Sequence, residues 1–130
     1  MRVAIAARRG LRELLAACVS DGVVIENFET ATNLRRQIHL IQPGVVLVDG
    51  RLLSTVPRMA LVDSQPFVLG LLWKIDRRTD RMAAMAGCWD AVDVSVTSWR
   101  EELHEALQLA RRAWFLRKAA AVGPALPIAA

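Results

Sequence analysis

The run Pro43-Gly44-Val45-Val46-Leu47-Val48-Asp49-Gly50 constrains the fold more than any other part of the chain. Val45 to Val48 are all apolar, with no polar alternation. That pattern suits a strand buried on both faces of a parallel sheet, where helices cover each side. A carboxylate follows at the strand's C-terminal end. In open α/β sheets that edge opens into the crevice where ligands and chemistry collect, so Asp49 is the first candidate functional residue. The competing reading is an aspartate that only ends the strand in an Asp-Gly turn.

With 130 residues, 54% of them hydrophobic, the chain suits one domain with a substantial core and has no room for two. No apolar stretch approaches the roughly 20 residues that span a bilayer. Met1-Arg2-Val3-Ala4-Ile5 leads straight into a strand where a signal peptide would need an apolar core segment, so no membrane is expected and the expected location is the cytoplasm. Cys18 and Cys88 are isolated and are expected to be small, buried, reduced thiols. His39 and His104 have no Cys or carboxylate at ligand spacing, so no metal site is expected. The net charge of +4 rests largely on basic doublets: Arg8-Arg9, Arg35-Arg36, Arg77-Arg78, Arg111-Arg112 and Arg117-Lys118. Scattered over several helices, they are expected to be solvated faces. Direct nucleic-acid binding needs phosphate contacts acting together on one face and is disfavoured.

Taken in order, Arg2–Ala6 reads as a strand. Gly10–Val19 follows as a helix, with Leu11, Leu14, Leu15 and Cys18 at helical spacing and Asp21-Gly22 as its stop. Val23–Ile25 is a second strand. Thr30 or Thr32 can cap a helix facing the core with Leu34, Ile38 and Ile41, which ends at Gln42-Pro43-Gly44. Beyond the organising strand, Arg51–Gln65 is the least regular stretch, with Pro57 able to open a helix at Met59–Val62. Phe67–Leu72 is another all-apolar strand. Asp76 or Thr79 caps a helix carrying Met82, Met85 and Ala86, which halts at Gly87. Val92–Val96 alternates with period two and belongs at a sheet edge. Ser98-Trp99-Arg100-Glu101 is a capping box opening a helix that meets no breaker before Gly123-Pro124. Strands alternating with helices imply right-handed crossovers and a doubly wound α/β three-layer sandwich. There is no Gly-x-Gly-x-x-Gly after the first strand, no Walker-type loop and no Gly-x-Ser-x-Gly elbow, so nothing makes a positive case for an enzyme.

Arg2–Ala6, the Pro43–Leu52 strand and loop, the Met85-Ala86-Gly87-Cys88 turn and Glu101-Glu102-Leu103 at the start of the last helix resemble the receiver domain of bacterial response regulators. The likeness is to the LuxR/NarL-like transcription factors in particular. It covers residues 1–118 and implies a flavodoxin-like fold, a five-stranded parallel sheet in order 2-1-3-4-5, with Asp49 at the phosphoacceptor position. The other diagnostic residues differ. Ala7 and Arg8 stand where the family holds Mg²⁺ with two acids, Leu72 stands where a hydroxyl reads the phosphoryl group, and Val94, Ser95, Val96 and Thr97 offer no phosphate-pairing lysine. Phosphoryl transfer depends on positioning and charge neutralisation, much of it by Mg²⁺, which needs one or two protein carboxylates.

The resemblance therefore implies a pseudo-receiver: the fold without the switch chemistry, no cofactor, and phosphorylation-independent action as a regulatory and dimerisation module for transcription. Leu109, Phe115 and Leu116 fall outside the last helix's core stripe of Trp99, Leu103, Ala106, Leu107, Ala110 and Trp114, and Trp89 and Trp99 bracket the edge strand. These five residues, Trp89, Trp99, Leu109, Phe115 and Leu116, are the expected homodimer interface. Residues 119–130, with two prolines, a glycine and no charge, have linker character. In a longer parent protein, the resemblance places a DNA-binding helix-turn-helix output domain after them. Two alternatives stand beside this reading: a pseudo-receiver that senses a small molecule, and a stand-alone protein-interaction module. Because the first and third strands of such a fold are neighbours that end at one crevice, Arg8 is expected to replace the missing cation by pairing with Asp49. The competing arrangement leaves Arg8 in solvent.

Overall fold

A computed structural model describes residues 1–25, 31–55 and 66–122. Among the described residues there are five strands, β1 (Val3–Ala6), β2 (Gly22–Val24), β3 (Val45–Asp49), β4 (Phe67–Leu72) and β5 (Asp90–Asp93), and four helices. The helices are α1 (Arg9–Cys18), α2 (Ala31–Ile41), α3 (Arg77–Ala86) and α4 (Trp99–Val122), and a 3₁₀ segment, Gly50–Thr55, follows β3. The sheet is wholly parallel in order β2-β1-β3-β4-β5, the flavodoxin-like arrangement. The helix expected at Met59–Val62 lies outside the described residues.

Side chains alternate across each strand, so the all-apolar strands feed two cores at once. Val3, Ile5, Val45, Leu47, Leu69, Leu71 and Val92 face α1 and α4. Ala4, Ala6, Val46, Val48 and Val68 face the other way, towards Ile25 and Ile38 of the α2 layer. Every residue of β3 is buried, Asp49 included. The last helix lays down the expected stripe, with Trp99, Leu103, Ala106, Leu107 and Ala110 buried. Its far end stays tied to the sheet: a Cβ on Gly44 would lie 2.9 Å from Trp114 Cδ1, and the Arg117 guanidinium sits 4.5 Å above the Phe67 ring. Arg111 also donates to the Asp21 carboxylate at 2.8 Å. The helix continues through Val122, so the expected linker does not begin at 119, and residues 123–130 lie outside the described part.

Several local expectations need correction. In α1 the inward row is Leu11, Leu15 and, past the helix end, Val19, one residue in four. Leu14 and Cys18 sit on the adjacent face and are exposed, so Cys18 is no buried thiol. Cys88 is half-buried, and burial raises its pKa to about 11. In α3 the inward residues are Ala83 and Ala86, while Met82 and Met85 are exposed. Close approach explains the swap. A Cβ on Gly70 of β4 would lie 4.0 Å from Ala83 Cβ, a spacing with no room for methionine. The helix start is fixed as expected, by a capping box in which Thr79 N–H donates to Asp76 at 2.8 Å and Asp76 N–H donates to Thr79 Oγ1 at 2.9 Å. Gly87 ends it with φ of 102°, a left-handed conformation that glycine adopts without strain.

The edge strand comes earlier in the chain than its alternating pattern suggests. It pairs with β4 from Asp90 to Asp93 and then turns, because the Asp93 carboxylate accepts from Ser95 N–H at 2.9 Å and Ser95 Oγ at 2.6 Å. An aspartate that bonds the backbone two residues on offers the chain a turn in place of the ladder. Trp99 belongs to the core at 9% exposure and is withdrawn from the expected dimer face.

Candidate functional site

The C-terminal ends of β1, β3, β4 and β5 meet at one crevice. Ala6 pairs with Val48 and Asp49 with Leu71, so the residues leaving β1 reach the end of β3. Arg8 Nε donates to Asp49 Oδ2 at 2.9 Å, and the Arg8 backbone N–H approaches the same oxygen at 3.3 Å. Arg51 N–H donates to Oδ1 at 3.2 Å. The expected ion pair forms. It joins a carboxylate that is 5% exposed to a guanidinium-bearing side chain that is 51% exposed.

Burial pushes the Asp49 pKa up, as removal from water disfavours the charged form. The Arg8 side-chain hydrogen bond, the backbone N–H groups of Arg51 and Arg8, and the Arg8 charge together outweigh that, holding the carboxyl below its ordinary value. Both carboxylate oxygens are therefore committed to protein donors.

The remaining positions are apolar. Ala7 is buried in the core cluster. Leu72 is 4% exposed, and its Cδ2 would lie 3.0 Å from a Cβ placed on Gly50, so the leucine side chain packs directly against the backbone beside Asp49. Val94 follows β5 and packs against the same core. An octahedral Mg²⁺ needs oxygen ligands. Among the described residues one carboxylate, Asp49, lines the site and is already taken by a cation, and no group of three His, Cys, Asp or Glu could hold a metal. The residues do not fit the ion that the resemblance to receivers implies.

Asp49, Arg8 and Leu72 line a cavity of about 580 Å³ together with Leu11, Leu14, Trp73, Met82 and Trp99. Sequence reasoning did not single out Trp73 and Met82 for this place. The sign available was Trp73, a large apolar residue directly after a strand that a turn should follow.

A second cluster that sequence reasoning missed lies at the edge of the crevice. Beyond its bonds to Ser95, Asp93 accepts from Lys74 N–H at 3.1 Å and Ile75 N–H at 3.0 Å, tying the loop after β4 to the loop after β5. Its pKa falls to about 2, chiefly through the Ser95 hydroxyl and then the Ile75 and Ser95 N–H groups. Lys74, in this loop, has φ of 68°.

Apart from Trp99, the expected interface residues lie away from the crevice. Leu109, Phe115 and Leu116 are 54%, 59% and 64% exposed along α4. Trp89, before β5, packs edge-to-face on Phe67, with ring centroids 5.4 Å apart. The basic doublets are distributed over α1, α2, α3 and α4.

No protein-family model matches the sequence, and a search of curated proteins finds no relative. Solved structures do match. A CheY-like protein, TadZ, from Pseudomonas aeruginosa superposes with a TM-score of 0.71 at 14% identity, over 85% of this chain and 98% of that one. The signal receiver domain of a putative LuxO repressor from Vibrio parahaemolyticus gives 0.72 at 14% identity, over 92% and 98%. A pilus assembly-related protein from Burkholderia pseudomallei gives 0.67 at 16%, over 85% and 88%. The chain has the fold of response-regulator receiver domains, at sequence identities that speak to fold alone. Among the described residues, no helix is long and apolar enough to cross a membrane.

Proposed function

We infer that this chain is a regulatory receiver-fold module of the LuxR/NarL-like kind that works in the cytoplasm without phosphorylation and without catalysis of its own. One observation carries the reading: the Arg8–Asp49 pair at 2.9 Å, in which the carboxylate at the would-be phosphoacceptor position is neutralised from within the chain. A nucleophilic aspartate needs a free oxygen and a metal to gather the incoming phosphate. Asp49 has both oxygens bonded, Leu72 stands beside it, and the side chains that would supply metal ligands are Ala7 and Arg8.

The signal then passes through surfaces. The exposed side chains of Leu109, Phe115 and Leu116 on α4, with Trp89 at the sheet edge, suit pairing with a second copy, and an output domain that binds DNA would follow α4 in a longer protein. The cavity of about 580 Å³ beside Asp49 favours a second reading, a module that responds to a small molecule.

Incubation with acetyl phosphate or beryllofluoride and Mg²⁺, followed by intact-mass and NMR measurement, tests the central claim. The expected result is an unchanged mass and unshifted Asp49 and Gly50 resonances. A stoichiometric aspartyl-phosphate would overturn it.

A further inference from the structure

The cavity at the crevice has an unusual wall for a place built around a carboxylate. Leu11 and Leu14 of α1, Leu72 and Trp73 at the end of β4, Met82 of α3, and Trp99 at the start of α4 surround it. Leu14 is 45% exposed, Met82 is 50% and Trp73 is 76%. These three side chains come from three different elements and border one opening. Apolar surface left in water is unfavourable, and apolar groups gathered round a single concavity mark a ligand site more often than a scatter would. A volume of about 580 Å³ lies within the range of small-molecule sites.

The polar end of the cavity sets the ligand's charge. Arg8, Arg51 and Asp49 line it. Asp49 is fully engaged by Arg8 Nε and the two backbone N–H groups. Two arginines against one aspartate leave this end of the lining with an excess of positive charge. The Arg51 side chain is exposed and has no part in holding Asp49, because only its backbone N–H does that. An apolar body with a single anion satisfies both ends: the body covers Leu14, Trp73 and Met82, and the anion sits by the guanidinium groups, where bidentate carboxylate geometry is available. A multiply charged phosphate would satisfy the arginines and leave the apolar wall in water.

We propose that the crevice of this protein is a binding site for an amphipathic monoanion, an apolar small molecule carrying one carboxylate, with Leu14, Trp73 and Met82 holding the body and Arg51 the charge. The proposal rests on the phosphorylation-independent reading, since it gives the crevice to a ligand in place of a phosphoryl group.

Titration of the protein with 8-anilinonaphthalene-1-sulfonate, an apolar body with one anion, gives a fluorescence readout, and dodecanoate and dodecanol serve as competitors. The expected result is saturable one-to-one binding of the dye and displacement by dodecanoate at a concentration at least tenfold below that of dodecanol. Met82→Asp and Leu14→Asp place a charge on exposed positions, so the fold should survive. Circular dichroism checks that. Each should weaken dye binding about tenfold or more, because an unpaired carboxylate resists burial under the dye. Arg51→Ala should weaken dodecanoate several-fold and leave dodecanol unchanged. The Phe115→Ser/Leu116→Ser variant should bind as the wild type does. Absence of saturable binding overturns the proposal, as does wild-type affinity in both aspartate variants or loss of binding in the α4 variant, either of which puts the dye elsewhere. Equal competition by acid and alcohol overturns the assignment of the anion. All arms are run without phosphodonor, so formation of an aspartyl-phosphate in the separate test would sink the phosphorylation-independent reading while leaving these binding results to be judged independently.

Discussion

Two aspartates stand at strand ends along the same crevice, and they are held ionised by different means. Asp49 ends β3, is buried, and owes its lowered pKa to a cation as well as to N–H groups working against the penalty of burial. Asp93 ends β5 at the sheet edge, lies in a more open place, and is lowered to about 2 by neutral donors: a hydroxyl and the backbone N–H groups of two loops. A buried carboxylate needs a charge beside it, since an unpaired one forfeits its hydration. An edge carboxylate can instead be used as a loop clip, because water meets the rest of its demand. The centre of the sheet is thus fixed by an ion pair and its margin by hydrogen bonds.

The sharpest way to break this contrast is to remove the cation. Arg8→Ala leaves Asp49 buried, with only backbone N–H groups for partners. For a fully buried pair such a change costs about 3–5 kcal/mol. Because Arg8 is half exposed, water enters when it is truncated, and the expected loss at pH 7 is about 1–2 kcal/mol by urea denaturation. The Asp49 pKa should rise in the variant, followed by its carboxyl carbon shift. A folded pKa below the unfolded one means stability that is present above about 3.8 and is lost as pH falls through the depressed folded value. In Arg8→Ala that acid-dependent part should shrink. Unchanged stability and an unchanged pKa would place Asp49 in the same class as Asp93.

Asp93→Ala probes the other side and should act more locally. It removes the acceptor of Lys74, Ile75 and Ser95, so hydrogen exchange at those amides should quicken roughly fivefold to tenfold, while amides of β1 and β3 keep their rates. Its acid dependence has the same sign as that of Asp49: stability present above about 3.8, lost as pH falls towards about 2. If the exchange rates of the whole domain rise together, Asp93 is part of the global fold and not a clip.

The central pair was legible in the sequence and the clip was not, for a physical reason. The Val45–Val48 run could only be a strand covered on both sides, and that fixed Asp49 at a crevice end. The resemblance to receivers set β1 beside β3, which brought Arg8 within reach of Asp49 and left open only whether it pairs or faces solvent. Asp93 sat within a period-two stretch that reads as strand to Val96. The turn that ends β5 comes from side-chain bonds to a hydroxyl and to a loop far along the chain, which periodicity does not register. The same limit explains α3. Methionines at helical spacing look like core, yet Gly70 brings the helix so near the sheet that only alanine fits, and Met82 is turned to the cavity's rim. Trp99 carries two expectations, core stripe and interface anchor, and only the first holds: as the first residue of α4 it lies over the sheet and is buried.

Salt offers the finest test of the contrast, with the smallest effect. Raising ionic strength from about 0.15 M to 1 M shortens the Debye length from about 8 Å to 3 Å. Counter-ions can reach Arg8, whose side chain is 51% exposed, so the long-range part of its attraction for Asp49 weakens. The Nε–Oδ2 contact of 2.9 Å lies inside even the shorter length and persists. The Arg8 charge as such contributes less to the lowered pKa than the hydrogen bonds from Arg8 and Arg51. The Asp49 titration midpoint should therefore move only modestly upwards in high salt. Asp93 is lowered by hydrogen bonds to neutral groups, with no charge partner among its causes, so its midpoint near 2 should move less still. Measuring both carboxyl carbons in one NMR titration series cancels errors in pH and reference. A shift of Asp93 equal to that of Asp49 would mean that a general field acts on both, and the division between an ion-paired centre and a hydrogen-bonded edge would fail.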